Sequence, residues 1–403
     1  MAERLVDPLG FTASAVLMLL PIPLVIATRP PTALRVLIFA LQLQLANWGN
    51  KTFTLEDTFI TYSLGCLYYG WPLFTAIHFY FLTDPLTDGT RHIYDTKPAK
   101  DMSLPQRLWW ATCLVASFRG VGWNKPVPHL RQIPKGQSRT SYLVEHFLWL
   151  VFYFVVADLV NLYITNNPIT SSRAAERFPA WSQGPIFQAL NSYAYWGNIW
   201  AGFNIQYELL AMAGVALGLW EPQLWPPMFG SFWDAYTVRR TWGRVWHCIL
   251  RRFIISHGKW VASAIGATPG TKASSYAQLY TAFVVSGLMH EVGDRQLDRG
   301  FGQSMSFFIL QALWITFEDG VIGLGKRLGI KESRATRALG GLTTFVWFAA
   351  TSPVLMKVMS DNGKPIAPSF PVSPIGAAWK ALGLEEKQVI PWPEPHYQML
   401  CRK

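Results

Sequence analysis

Five stretches without a single charged side chain constrain this chain more than any other feature: Leu9 to Thr28, Thr58 to Thr83, Ile186 to Tyr207, Gly300 to Phe317 and Ala338 to Met356. Each comes near or above the roughly 18 apolar residues that argue for a helix spanning a bilayer. Further candidates are Ala33 to Leu45, Tyr142 to Ile164 with Glu145 and Asp158 inside it, Leu209 to Trp220, and Tyr276 to His290. Together they predict about eight to ten spans. Composition agrees: 51% of the residues are hydrophobic and 15% charged, where a soluble domain carries about a quarter charged. Length alone would suit two or three soluble domains, but repeated apolar runs favour one all-α polytopic bundle, a single domain over residues 1–403.

The first apolar run follows Met-Ala-Glu-Arg, contains Pro21 and Pro23, and lacks a small-residue cleavage site, so it reads as a retained helix. Cys66, Cys113, Cys248 and Cys401 show no C-x-x-C spacing and no partnered histidine cluster, which indicates neither a disulfide framework nor a zinc site. Asn50-Lys51-Thr52 fits a glycosylation acceptor, a pattern common by chance. The proline-rich tail beyond Lys357, with P-W-P-E-P-H, reads as a loop region rather than a domain.

The net charge of +11 is unevenly placed. From Arg239 to Lys272 there are seven Lys or Arg residues and no acid, a segment that prefers the cytosolic face of a membrane. Such an excess fits orientation and anionic headgroups, or a phosphate-bearing ligand. Within T-W-G-R-V-W-H-C-I-L-R-R, residues 241–252, helical periodicity would put Arg240, Arg244, His247 and Arg251 on one face. Trp242, Val245, Ile249 and Phe253 would lie opposite, so residues 231–254 are expected to form an amphipathic, interfacial or re-entrant helix. Gly243, one turn before His247, would permit close helix approach. A second histidine ends the apolar run Tyr280 to His290, and ionisable groups at membrane depth are functional candidates by default. Ser286 and Gly287, one turn earlier, are expected to leave room beside its imidazole for a substrate.

P-P-M-F-G-S-F-W-D-A-Y-T-V-R-R-T-W-G-R-V-W-H (226–247), followed 43 residues after His247 by S-G-L-M-H-E (286–291), resembles the wax synthase branch of the membrane-bound O-acyltransferases. S-F-R-G-V-G-W-N (117–124) resembles a signature of that branch's fungal members, many of which acetylate terpenoid secondary metabolites. The motif core covers about residues 117–291. The resemblance implies a helical membrane enzyme of the endoplasmic reticulum that moves an acyl group from coenzyme A to an alcohol, with no bound metal or organic cofactor. Other branches often carry asparagine at the position of His247.

A hydroxyl attacks a thioester poorly unless a base takes its proton, and imidazole suits that task near neutral pH. His290 is the expected general base, oriented by Glu291 or by Asp294 one turn on. His247, or a backbone donor nearby, would steady the oxyanion. Arg240, Arg244 and Arg251 would bind the phosphates of acetyl-CoA, the co-substrate, entering from the cytosolic side; Trp242 suits packing or anchoring better than ring stacking. The two imidazoles are expected to face one cavity. The expected partners are acyl-CoA, an apolar alcohol and membrane lipids, with no nucleic acid, and the residues leave the oligomeric state open.

A long-chain wax ester synthase is an alternative, because the choice of acetyl over a long acyl chain rests on the fungal resemblance alone. A magnesium-dependent prenyltransferase would use paired aspartates, and Asp84/Asp88 and Asp294/Asp298 have D-x-x-x-D spacing, although Pro85 opposes a helix at the first pair. A transporter would want repeated halves and intramembrane charges; no repeat is evident, and Asp158, Glu208 and Glu318-Asp319 are the acids available.

Overall fold

The computed structural model describes residues 5–55, 58–130, 136–167, 183–298, 300–360 and 373–384. The P-W-P-E-P-H tail and Cys401 lie outside them. The chain is all-α: α1 (Pro8–Leu19), α2 (Pro21–Thr28), α3 (Thr32–Thr52), α4 (Thr58–Gly65), α5 (Trp71–Ile77), α6 (Leu104–Ala116), α7 (Arg139–Asn166), α8 (Pro185–Ala216), the single turn α9 (Val238–Arg240), α10 (Arg251–Ala264), α11 (Lys272–Gln296), α12 (Gln303–Arg327), α13 (Arg334–Ser360) and α14 (Pro374–Ala381). A two-residue parallel ladder pairs Leu5 with Phe53 and Val6 with Thr54. Proline opens α1, α2 and α8, where its missing N–H costs nothing. Asp7 caps α1, accepting from the amides of Leu9 and Gly10 at 3.0 Å.

Four stretches among the described residues are long and apolar enough to cross a membrane: Pro8–Thr28, Arg139–Asn166, Gln303–Arg327 and Arg334–Lys357. Leu9, Leu148, Phe317 and Leu342 stand exposed on them, as side chains facing hydrocarbon would. The chain is a polytopic membrane protein. Helices α3, α8 and α11 are as long, with polar residues threaded through them.

Two compact units are present. The first comprises residues 1–56, 60–130 and 229–331. In it α11 packs against α10, α12 and a π-helical turn at Cys66–Gly70, and α2 packs on α6 and a second π-helical turn at His78–Leu82. Such turns widen a helix and recur at functional sites. Asn50 of the candidate glycosylation triplet is buried within α3, where no glycan fits.

The second unit comprises residues 57–59, 131–228 and 332–403. Here α7 pairs with α8, α13 lies on α8, and α14 lies on α7. Buried between α7 and α8, His146 Nδ1 meets a Glu208 carboxylate oxygen at 2.5 Å, and Tyr142 stacks on the imidazole. Asp158 accepts from the Ile375 amide at 2.8 Å and from the Ser373 hydroxyl, fixing the start of α14. In the first unit, Glu318 accepts from the Val238 amide and Asp319 pairs with Arg239. The acids that a transporter would need are thus each committed to a structural partner.

Candidate active site

The basic segment is not one helix. After the turn α9 the chain makes a third π-helical turn over Thr241–Val245, then Trp246 goes extended, with φ −67° and ψ 152°, and α10 starts only at Arg251. The break has a cause: the Val245 carbonyl accepts from the Gly230 amide at 2.8 Å instead of from a residue one turn on. The expected helix over 231–254 is therefore corrected, and Arg240, Arg244, His247 and Arg251 do not share a helical face. Gly243 is also corrected, since a Cβ there would meet nothing within 4 Å and no helix approaches it closely.

The segment nevertheless brings its side chains to α11. Trp242 packs on Phe283, Phe307 and Phe308, with ring centroids 5.9, 6.3 and 6.2 Å away. Phe308 lies in turn 4.5 Å from the His290 ring, so one aromatic is shared by the two segments. Burial, then the neighbouring His290 and Arg119, push the pKa of His247 down to about 3, so its imidazole is neutral at pH 7. Arg119 is itself buried and lies in S-F-R-G-V-G-W-N; a lone arginine between apolar residues was the available signal for it.

His290 is oriented by the backbone. Its Nδ1 lies 2.7 Å from the Ser286 carbonyl oxygen, which only accepts, so Nδ1 carries the hydrogen and Nε2 the lone pair. The two acids expected to orient the ring are engaged elsewhere, which corrects both. Glu291 accepts from the amides of Gly302 and Met305 at 2.8 Å, and Asp294 accepts from the Ser304 amide at 2.8 Å and its hydroxyl at 2.7 Å. Both carboxylates cap the first turn of α12, where free amides and the helix dipole favour negative charge. Gly287 leaves no substrate space, because Met305 fills its side: a Cβ would lie 2.6 Å from the Met305 sulfur.

The arginines differ in how they are held. Arg240 pairs with Asp234 and lies over the Tyr236 ring at 4.2 Å. Arg251 donates to the carbonyls of Pro128, at 2.8 Å, and Gly243. Arg244 is exposed with no ion-pair partner among the described residues. His129 joins them from a loop in the left-handed region at φ 64°, a histidine nothing in the sequence singled out. Burial, then Arg244, Arg251 and Arg240, hold its pKa below the usual value.

Comparison with known proteins bears on this arrangement. Residues 225–310, which carry both histidines, match the model of the membrane bound O-acyl transferase family. The acetyltransferase ple2 of Rhodocybe pseudopiperita is 37% identical over 286 residues, 69% of this chain and 74% of that one. The chain belongs to the membrane bound O-acyl transferase family. A second relative of this acyltransferase, the acetyltransferase eriL of Hericium erinaceus, is 32% identical over 68% of this chain and 72% of its own. The O-Mevalon transferase macI of Penicillium terrestre is 29% identical over 79% and 78%. As a member of this family the protein is a membrane-embedded acyltransferase, which takes an acyl donor and a hydroxyl acceptor.

Proposed function

We propose that the protein is an O-acetyltransferase that moves acetyl from acetyl-CoA to a hydroxyl of an apolar, terpenoid-like secondary metabolite. The names of the relatives support the acetyl group, and the observation that carries the mechanism is the His290 tautomer. With Nδ1–H given to the Ser286 carbonyl, Nε2 is available to take the acceptor's proton. The alkoxide oxygen attacks the thioester carbon, negative charge gathers on the carbonyl oxygen, and collapse expels the coenzyme A thiolate, which regains the proton from His290. Neutral His247 is an N–H donor for that oxyanion. Arg240, Arg244 and Arg251 bind the donor's phosphates on the cytosolic side of the endoplasmic reticulum membrane. Purified protein given acetyl-CoA should release free thiol only when an alcohol is present. His290→Ala should lower that rate by about 10²- to 10⁴-fold while the protein stays folded; a well-expressed variant with near-normal turnover would overturn the assignment.

A further inference from the structure

Two acids of α12 have no part in the reaction as written above. Glu318 and Asp319 are the only carboxylates of that helix, in a stretch otherwise apolar enough to cross a membrane, where ionised groups are costly. Both reach the segment that leads to His247. Glu318 accepts from the Val238 amide at 3.2 Å and, more weakly, from the Arg239 amide at 3.5 Å. The Thr237 hydroxyl takes the next amide, that of Arg240, at 3.1 Å. Asp319 receives the Arg239 guanidinium on both oxygens, with Nε at 3.2 Å, and accepts from the Tyr276 hydroxyl at 3.0 Å. One carboxylate therefore joins α9, α11 and α12.

The same segment has a second hold on these helices. Trp242, three residues after Arg239, packs on Phe283 of α11 and on Phe307 and Phe308 of α12. Glu318 lies ten residues beyond Phe308, roughly 15 Å further along α12. Apolar contact has little direction, so with the rings alone the segment would be free to pivot about the indole. Hydrogen bonds do have direction, and the acids stop that pivot. The link onward to His247 is stiff. The Trp246 amide closes the π-helical turn Thr241–Val245 on the Thr241 carbonyl at 2.8 Å, and Gly230 lies so close that a Cβ there would be 2.0 Å from the Arg244 carbonyl oxygen. An orientation set at residues 238 and 239 is thereby carried to the histidine.

We infer that Glu318 and Asp319 are positioning residues, which hold the π-helical turn on α12 so that the His247 N–H is aimed at the oxyanion. This rests on the acyl-transfer reading above, with His247 as the oxyanion donor. Neither carboxylate moves a proton or makes a bond in the reaction; Glu318 acts through two backbone amides and Asp319 through Arg239.

The test is a double-mutant cycle on kcat, read as thiol release from acetyl-CoA by the folded fraction of purified protein with a panel of terpenoid alcohols. Glu318→Ala should lower kcat about ten- to hundredfold, the scale of a small displacement of a catalytic group, with the KM for the alcohol near that of wild type. Glu318→Gln, which keeps one acceptor oxygen, should retain most of the turnover. In a His247→Ala background Glu318→Ala should cost no more than about twofold, because the group it positions is already gone. Asp319→Asn, which weakens the fork to Arg239, should show the same dependence on His247, and it decides the matter if Glu318→Ala does not fold. Losses that simply multiply in the double variants, or wild-type kcat in the folded single variants, would mean that the acids serve the fold alone and would overturn the inference. Wild-type kcat in His247→Ala would remove the donor itself, and no thiol release by wild type with any alcohol would remove the acyl-transfer reading; either takes this inference with it.

Discussion

Of the two ring nitrogens of His290, only Nε2 has a lone pair to offer, because the hydrogen on Nδ1 is committed to the carbonyl of Ser286, one turn earlier. A carbonyl in that place fixes the tautomer without the charge a carboxylate would bring, and the neighbouring acids are thereby released to cap α12. His247 differs in that its neutrality follows from burial first and from His290 second. If both act on one transition state, the losses from His247→Ala and His290→Ala should be strongly non-additive; a double variant whose loss equals the product of the single losses would refute the pairing. The pKa of about 3 also has a consequence for stability. The unfolded chain binds a proton at this residue below its ordinary value near 6.5, while the folded chain does not, so protonation favours unfolding. Stability should fall as pH drops from about 6.5 towards the folded value, and His247→Gln should remove that part of the slope. Melting temperatures in detergent between pH 7 and pH 5 would test this, and an unchanged slope in the variant would count against it.

At the scale of elements, the sequence pattern and the structure agree where periodicity reports on burial and part where partners are remote. The uncharged runs became helices because apolar content over some 20 residues leaves few alternatives in a bilayer. The same reasoning failed over 231–254, where Arg240, Arg244, His247 and Arg251 matched a helical stripe by spacing alone. A backbone bond from Gly230 to Val245, fifteen residues apart, broke the helix, and no local signal announces it. Arg252 fell off that stripe and was passed over, yet it donates to the Leu114 carbonyl at the end of α6. Glu291 and Asp294 were legible as important and illegible in role, since their amide partners lie 10–14 residues away across a turn. The capping assignment makes its own prediction. Asp294→Ala should cost about 0.5–2 kcal/mol of stability, as lost caps do. The pH dependence of kcat in the folded fraction should stay that of wild type. A shifted profile at unchanged stability would restore the orienting role.

For the whole molecule the question is what a net charge of +11 does when so many of its arginines are already occupied. In the stretch from Arg239 to Arg252, Arg239 holds Asp319, Arg240 holds Asp234, and Arg251 and Arg252 hold backbone carbonyls. These contacts fix the guanidinium groups in place, so less side-chain freedom is lost when an anion arrives. Arg244 differs, being exposed and, among the described residues, without an acid to answer it. Arg244→Glu therefore reverses a charge without dismantling a fold contact, whereas Arg239→Glu would set two acids together beside α12. If this edge receives the phosphates of the donor, Arg244→Glu should raise the KM for acetyl-CoA about tenfold or more, at the scale of a lost charge-assisted contact. The KM for the alcohol should move little, and added salt should narrow the gap between variant and wild type, because an exposed charge is screened within roughly 10 Å at 0.1 M. S-acetylpantetheine, which lacks the phosphates, supplies the control, as its KM should be the same in both proteins. Equal weakening towards acetyl-CoA and S-acetylpantetheine, or a defect confined to membrane insertion, would make the edge an interfacial anchor for lipid headgroups instead.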